Sequence, residues 1–297
     1  MSKQKIKCLV TGGAGFIGSK LVIKLIELGF SITVVDNLST GKTNNLKGYL
    51  NKIKFIKNNI NNVKLKNIIN SVDYIFHLAA LTNVRESLTN PEKYFTNNVE
   101  NTLSLLDQIN SKKLKKIIYT ASSSCYGDFK SKAKEKTRIN LLSPYAETKW
   151  ISEQIFFYFS KIKKFDFISL RLFNVYGPKS SNSNYSGVIT KFANLQKKGQ
   201  PLTIFGDGNQ TRSFIHVNDV VEAIIKATKS NLKKDVFNVG YSKSISIKKL
   251  AKFFNSKIKF QEAIPGEIQN SDADINKIRK ILNFKPTINL QTGIRSL

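Results

Sequence analysis

Thr11-Gly12-Gly13-Ala14-Gly15-Phe16-Ile17-Gly18 follows directly on the apolar run Ile6–Val10 and opens a helix-period segment, Ser19–Leu28, that closes at Gly29. Glycines spaced by three at a strand-to-helix junction leave few alternatives. The first permits a tight turn, the second lets the backbone approach a ligand closely, and the third lets the helix pack against the strand. The helix then aims the positive end of its dipole at whatever the turn holds, which favours a diphosphate. Both Gly13-x-Gly15-x-x-Gly18 and Gly12-x-x-Gly15-x-x-Gly18 satisfy the dinucleotide pattern. Asp36 ends the second apolar run, Ile32–Asp36, at the distance where a carboxylate accepts hydrogen bonds from a ribose diol and repels a 2′-phosphate. The pattern predicts NAD as the cofactor, in preference to NADP.

Beyond this turn, short β-branched runs alternate with helical periods. Strands are predicted at Ile53–Ile56, Tyr74–Leu78, Lys116–Ala121 and Phe167–Leu172, with helices near Val63–Asn70, Pro91–Ile109 and Pro144–Lys163. Alternation of this kind builds a parallel sheet. A Ser/Asn-rich loop at Lys179–Ser186 interrupts it; helices at Val188–Lys198, Val220–Ser230 and Ile247–Phe254 then alternate with strands at Leu202–Phe205 and Val236–Val239. The predicted fold is α/β, a doubly wound parallel-sheet Rossmann domain over residues 1–172. Residues 173–297 form a smaller C-terminal α/β portion that returns some segments to the first domain and completes a cleft at the carboxyl ends of the strands.

Composition limits the remaining possibilities. With 41% hydrophobic and 23% charged residues in 297, the chain is globular, not disordered or fibrous. No stretch approaches the roughly 18 to 20 apolar residues of a membrane span, and Met1–Lys7 lacks a signal-peptide core, so a cytoplasmic protein with no membrane partner is expected. Cys8 and Cys125 lie far apart, and His77 and His216 are the only histidines, so neither a disulfide framework nor a metal site is expected. The net charge of +28 invites a nucleic-acid reading. Its texture argues against one: only six of the 48 basic residues are arginine, and the lysines are spread along the chain instead of forming a patch. A solvated lysine surface is the better account, and no nucleic-acid partner is expected.

Chemistry enters after the fifth strand, at Thr120-Ala121-Ser122-Ser123-Ser124-Cys125-Tyr126-Gly127. Farther on, Ser143 is placed as an N-cap and Pro144 as the first helical residue of a segment carrying Tyr145 and Lys149. Four residues apart, the phenol and the ammonium share one helix face. A phenol titrates at about 10 in water; positive charge from Lys149 and an oxidised nicotinamide is expected to lower it toward neutrality and make Tyr145 a general base. Ser122 can share a hydrogen bond with the same substrate hydroxyl.

Taken in order, Thr11–Gly18, Asp36-Asn37-Leu38-Ser39-Thr40-Gly41, His77-Leu78-Ala79-Ala80, Ser122–Gly127, Tyr145–Lys149, Arg171–Asn174 and Leu202–Asp219 make the chain resemble the extended short-chain dehydrogenase/reductases of the NAD-dependent epimerase/dehydratase family. The resemblance spans nearly the whole chain and is nearest to the UDP-hexose 4-epimerases. It implies that bound NAD takes hydride from sugar carbon 4, that Tyr145 removes the hydroxyl proton with Lys149 as its electrostatic partner, and that the 4-keto sugar turns over before reduction on its other face. It also implies cofactor contacts at Phe16, Ile17, Asn37, Ser39, Thr40, Gly41, Asn59, Ile60, Leu78, Ala79, Ala80, Thr82 and Asn97, beside Gly12, Gly15, Gly18, Asp36, Tyr145 and Lys149. Implied substrate contacts are Thr82, Ser122, Ser123, Ser124, Tyr145, Asn174, Gly187, Val188, Thr203, Phe205, Arg212 and Ser271, with Phe205 stacked on uracil and Arg212 on the diphosphate. A homodimer through the Pro91–Ile109 and Pro144–Lys163 helices is implied as well.

Departures from the family refine the reading. Ser123-Ser124 stand where the related 4,6-dehydratases carry an acidic pair, so dehydration is disfavoured. Cys125 sits one position from the cysteine of the keto-sugar epimerase-reductases and reads as a packing residue; His216 likewise reads as structural. Leu172 replaces a common aromatic, and Asn59 replaces an adenine-contacting Asp. Ile264-Pro265-Gly266-Glu267 lacks a diphosphate-binding Arg usual in relatives. Ser271 falls at the gate of the sugar pocket, where a small residue admits N-acetylated hexoses. The sequence leaves open UDP-GlcNAc/UDP-GalNAc and UDP-glucose/UDP-galactose. The alternatives are another nucleotide-sugar reaction through the same intermediate, such as UDP-glucuronate 4-epimerisation with Arg85 as the candidate cation, and more remotely a degenerate basic protein that binds polyanions.

Overall fold

The computed structural model describes residues 5–110, 112–178, 187–264 and 268–297. The expected loop Lys179–Ser186 and the segment Pro265-Gly266-Glu267 lie outside them. The chain divides into two compact units. The first comprises Met1–Cys125, Leu141–Leu170 and Ile224–Val236; the second comprises Tyr126–Asn140, Arg171–Ala223 and Phe237–Leu297.

The first unit is built on a seven-stranded parallel sheet in the order Lys234–Val239, Asp166–Leu172, Lys116–Ser122, Tyr74–His77, Lys7–Thr11, Ser31–Asp36, Lys54–Lys57, the doubly wound Rossmann arrangement. The strands are rich in Val, Ile and Phe because both faces are covered. Val10, Ile75 and Ile117 are fully buried. Lys7–Thr11 lies at the switch point, paired in register with Ser31–Asp36 on one side (Thr11 opposite Val35) and with Tyr74–His77 on the other (Thr11 opposite His77). Parallel pairing therefore brings Thr11, Asp36, His77 and Ser122 to one edge of the sheet, where ligands of such folds bind. The long helix Pro144–Lys163 packs on the sheet through Phe156, stacked on Phe167 at 5.0 Å and 7° and tilted on Tyr119 at 4.8 Å. Each fully buried ring contributes about 1.5–3 kcal/mol, so the face carrying Tyr145 and Lys149 is held by its own packing.

Strand positions agree with the sequence reading to within one or two residues, and Pro144–Lys163 begins and ends as predicted, capped by Ser143, whose hydroxyl accepts from Ala146 N. The predicted helix Pro91–Ile109 is instead three pieces: Pro91–Phe95, a π-helical turn Thr96–Glu100, and Asn101–Asp107. The extra residue of the wide turn turns Asn98 inward. The helix predicted from Ser19 starts at Phe16, because Gly15 takes the N-cap position. The Val63–Asn70 helix opens as a 3-10 turn, and Val217, not Val220, starts the helix that ends at Lys229.

The second unit has its own core, in which Phe192, Leu202, Ile204, Leu250 and Phe254 are buried together. Its strands are short: Asn174–Tyr176 pairs with Phe214–His216, Leu202–Phe205 with Ile258–Gln261, and Thr211–Arg212 lies between Ile245–Ser246 and Asn270–Ser271. Strands of two to four residues are too brief to show a period of two, which is why most of these escape the sequence. Asp219 accepts hydrogen bonds from Thr287 N, Thr287 Oγ1 and Ile288 N, fixing the approach to the C-terminal helix Leu290–Arg295. No helix among the described residues is long and apolar enough to cross a membrane.

Candidate active site

The cradle begins where the first strand ends. Gly12 has φ +69°, and a Cβ there would stand 2.7 Å from Ala79 N, so only glycine lets the turn lie against the backbone that leaves the fourth strand. A Cβ on Gly18 would overlap the carbonyl oxygen of Gly12, which fixes helix Phe16–Glu27 against the turn. No side chain caps that helix, so the N–H groups of Phe16, Ile17 and Gly18 face the cradle at the positive end of the dipole. Asp36 is buried at the end of the second strand; its Oδ2 accepts from Ala14 N at 2.9 Å and its Oδ1 from Leu38 N at 2.8 Å. A carboxylate so held keeps lone pairs for a diol, and Gly41 has no Cβ to crowd its oxygens. These residues fit NAD, the cofactor that the glycine pattern and Asp36 predict. Asn37 Nδ2 donates to Asn59 Oδ1 at 2.8 Å, joining the loop that carries Ser39 and Thr40 to the one that carries Asn59 and Ile60. Leu78, Ala79 and Ala80 are half-buried at the head of the loop after the fourth strand, Thr82 is exposed farther along it, and Asn97 is half-buried in the π-helical turn.

Ser122 ends the fifth strand and Tyr145 and Lys149 lie on the helix beside it, all buried. Ser122 favours the ionised form of the Tyr145 phenol, and Ser122 Oγ lies 2.7 Å from Ser124 Oγ and accepts from Ser124 N at 3.1 Å. The Lys149 ammonium stands 4.2 Å above the Tyr119 ring, whose hydroxyl donates to Lys149 O at 3.3 Å. Burial raises the Tyr145 phenol above its ordinary range, with Ser122 opposing, while burial pulls Lys149 down to about 7, with Glu153 opposing. Cys125 is a buried side chain within this turn.

Two residues of this region escaped the sequence reading as site builders. His77 Nε2 lies 3.1 Å from Thr102 Oγ1, which donates to Asn98 O, and His77 Nδ1 lies 2.8 Å from Thr11 Oγ1, which accepts from Ala79 N. The network assigns the proton to Nε2. Burial, and secondarily Lys149, hold this imidazole neutral, down to about 3. Asn98 accepts from Leu81 N and donates to Leu81 O and Thr148 Oγ1, tying the loop after the fourth strand to the Tyr145 helix. The adjacent His77-Leu78-Ala79-Ala80 motif was the available signal for the first; nothing local marks the second.

In the second unit, Asn174 Nδ2 donates to Ser213 O at 3.2 Å and reaches Ser271 Oγ at 3.4 Å, bringing these two predicted residues together. Arg212 Nη1 donates to Thr211 O and Gln269 O, which ties its guanidinium to backbone carbonyls. Thr203 and Phe205 share one strand; Phe205 borders an open recess of about 610 Å3 with Phe260, Gln261 and Glu262. Gly187 caps the helix Val188–Lys197 without a side-chain partner. His216 is buried against Tyr176, 5.3 Å between rings, and its Nδ1 accepts from Asn218 N.

A sequence model described as the NAD dependent epimerase/dehydratase family matches residues 8–240. A Methanocaldococcus jannaschii protein, provisionally named UDP-glucose 4-epimerase, is 36% identical over 97% of this chain and 95% of its own length. Among solved structures, UDP-N-acetylglucosamine 4-epimerase of Methanobrevibacter ruminantium M1, in complex with UDP-N-acetylmuramic acid, is 34% identical with a TM-score of 0.93, covering 99% of this chain and 97% of that one. UDP-glucuronic acid 4-epimerase of Bacillus cereus, in complex with UDP-glucuronic acid and NAD, is 30% identical with a TM-score of 0.91, covering 98% and 97%.

Proposed function

The chain belongs to the NAD-dependent epimerase/dehydratase family, and from that premise we propose that it inverts carbon 4 of a UDP-hexose through a transient 4-keto sugar. One observation carries the reading: Ser122, Tyr145 and Lys149 are buried together at the sheet edge that also ends in Thr11, Asp36 and His77. Held by the Gly12–Gly18 turn and Asp36, NAD would supply a hydride acceptor and donor for carbon 4. Tyr145 takes the proton of the carbon 4 hydroxyl, and Ser122 donates to the same oxygen and fixes its direction. The Lys149 ammonium stabilises the phenolate against the desolvation that raises the phenol. The same phenol returns the proton once the sugar has turned. Ser123 and Ser124 supply hydroxyls and no carboxylate, which supports epimerisation over water elimination.

Asn174 and Ser271 would border the sugar, with Phe205 against uracil and Arg212 on the diphosphate, where a guanidinium fork suits paired oxygens. The small side chain of Ser271 supports UDP-GlcNAc/UDP-GalNAc as the favoured pair. The protein is incubated with UDP-GlcNAc, UDP-glucose and UDP-glucuronate separately and the anomeric NMR signals are followed. Exchange in the first supports the full reading, exchange only in the third moves the assignment to a uronate epimerase, and none in any sinks it. Tyr145→Phe should cut turnover by roughly 10²–10⁴-fold while NAD still binds. A cytoplasmic homodimer is part of the proposal: Tyr158 and Ile162 on the Pro144–Lys163 helix are 63% and 56% exposed, with Leu103 exposed on Asn101–Asp107, and a monomer in sedimentation would remove it.

A further inference from the structure

Tyr145, Lys149 and Glu153 follow one another at intervals of four on the helix Pro144–Lys163 and so share its inward face. The first two have roles in the proposed reaction; the third does not. Glu153 is 1% exposed, and its Oε2 accepts from Ser169 Oγ at 2.6 Å, a donor supplied by the strand Asp166–Leu172. A carboxylate this deeply buried is rare unless something in the fold uses its charge. We propose that Glu153 is a positioning residue acting through Lys149, its carboxylate being the counter-charge that keeps the Lys149 side chain an ammonium in the buried site. The inference rests on Lys149 being the electrostatic partner of Tyr145.

The surroundings of Lys149 single out this role. The strand Lys116–Ser122 offers the Tyr119 ring beneath the ammonium, and the strand Tyr74–His77 offers His77, stacked on Tyr119 at 5.7 Å and held neutral. The turn after the fifth strand offers Cys125, and the helix itself offers Tyr145 and Glu153. Glu153 is the one carboxylate with an electrostatic hold on Lys149 among the described residues, and it opposes the desolvation that pulls the ammonium down to about 7. Without it, a neutral amine would face Tyr145 at working pH and could no longer favour the phenolate.

The test follows Lys149 itself. Protein labelled with 13C at lysine Cε is titrated by NMR with and without NAD, the Lys149 signal being identified by its loss in Lys149→Met. Charges roughly 6 Å apart at an effective dielectric of about 20 place the midpoint in Glu153→Gln roughly one to two pH units below wild type. The alkaline limb of the pH–rate profile should move down with it, and Glu153→Asp, which keeps the charge, should restore most of both. A folded Glu153→Gln protein whose Lys149 midpoint stays at the wild-type value overturns the proposal. Should Glu153→Gln not fold, Glu153→Asp carries the test alone: the carboxylate is drawn back by one methylene, and a midpoint that does not fall by a few tenths of a pH unit overturns it. The titration needs no turnover, so a shifted midpoint in a protein that turns over no UDP-hexose defeats the epimerase reading and leaves this one standing. Turnover without a shift defeats this one alone.

Discussion

Gly18→Ala is the smallest change that strikes the cofactor cradle. The added Cβ would overlap the Gly12 carbonyl oxygen and stand 2.8 Å from Gly13 Cα and 2.9 Å from Gly12 C, all backbone atoms. None of them can swing aside as a side chain would. Gly12 is held by its N–H on Val35 O at 2.9 Å and by its carbonyl accepting Gly15 N at 3.1 Å, so relief requires helix Phe16–Glu27 to back away from the turn by roughly 1 Å. Overpacking of this kind costs about 1–3 kcal/mol, and the better helix propensity of alanine returns at most about 1 kcal/mol. The expected net destabilisation is about 1–2 kcal/mol. Cofactor affinity suffers more, because a shift of about 1 Å takes the first-turn N–H groups beyond hydrogen-bonding range of a diphosphate. Losing two charge-assisted hydrogen bonds at about 1.5 kcal/mol each weakens NAD by roughly 100-fold. Calorimetric NAD titration and thermal melts measure both quantities. Gly15→Ala is the internal control: its Cβ would meet only Gly12 O, at 3.1 Å, and the loss should stay below about tenfold. Equal effects at the two positions, or near wild-type NAD affinity in Gly18→Ala, would refute the steric argument.

Asp36→Ser should weaken NAD and relieve the repulsion of a 2′-phosphate, moving the NAD-to-NADP affinity ratio toward NADP by at least about tenfold in paired titrations; an unchanged ratio would contradict the assigned role. His77 is neutral in the fold, held down to about 3 by burial and then by Lys149, while the unfolded chain's imidazole titrates near about 6.5. Between those values the unfolded state binds the extra proton, so stability falls as pH drops below about 6.5, by up to about 1.4 kcal/mol per unit. Urea unfolding at pH 7 and 5 should show about 2 kcal/mol more loss in wild type than in His77→Asn, and equal losses would show that the imidazole does not resist protonation. Ser271→Tyr should suppress UDP-GlcNAc turnover at least about tenfold while sparing UDP-glucose, read as kcat/KM for each; parallel losses would remove Ser271 from the sugar pocket.

Much of this protein is local and therefore legible in its residues. Gly12 to Gly18, Asp36 at the end of its strand, and the Ser143-Pro144 start that sets Tyr145 and Lys149 on one face each depend on neighbours a few positions away, and the structure places them as the spacing implies. The parallel sheet is legible for the same reason, since buried strands must be apolar along their length and the helices between them amphipathic. The π-helical turn at Thr96–Glu100 is not, because what selects it is the inward turn of Asn98 toward Leu81 and Thr148, 17 and 50 residues away. Nor are the short strands of the second unit, whose pairing supplies what their lengths cannot. The ionisation of the site was also beyond the sequence. Tyr145 and Lys149 are named by their spacing, but how far burial raises the phenol, lowers the ammonium and silences His77 depends on the water that folding removes, and only packing in three dimensions removes it.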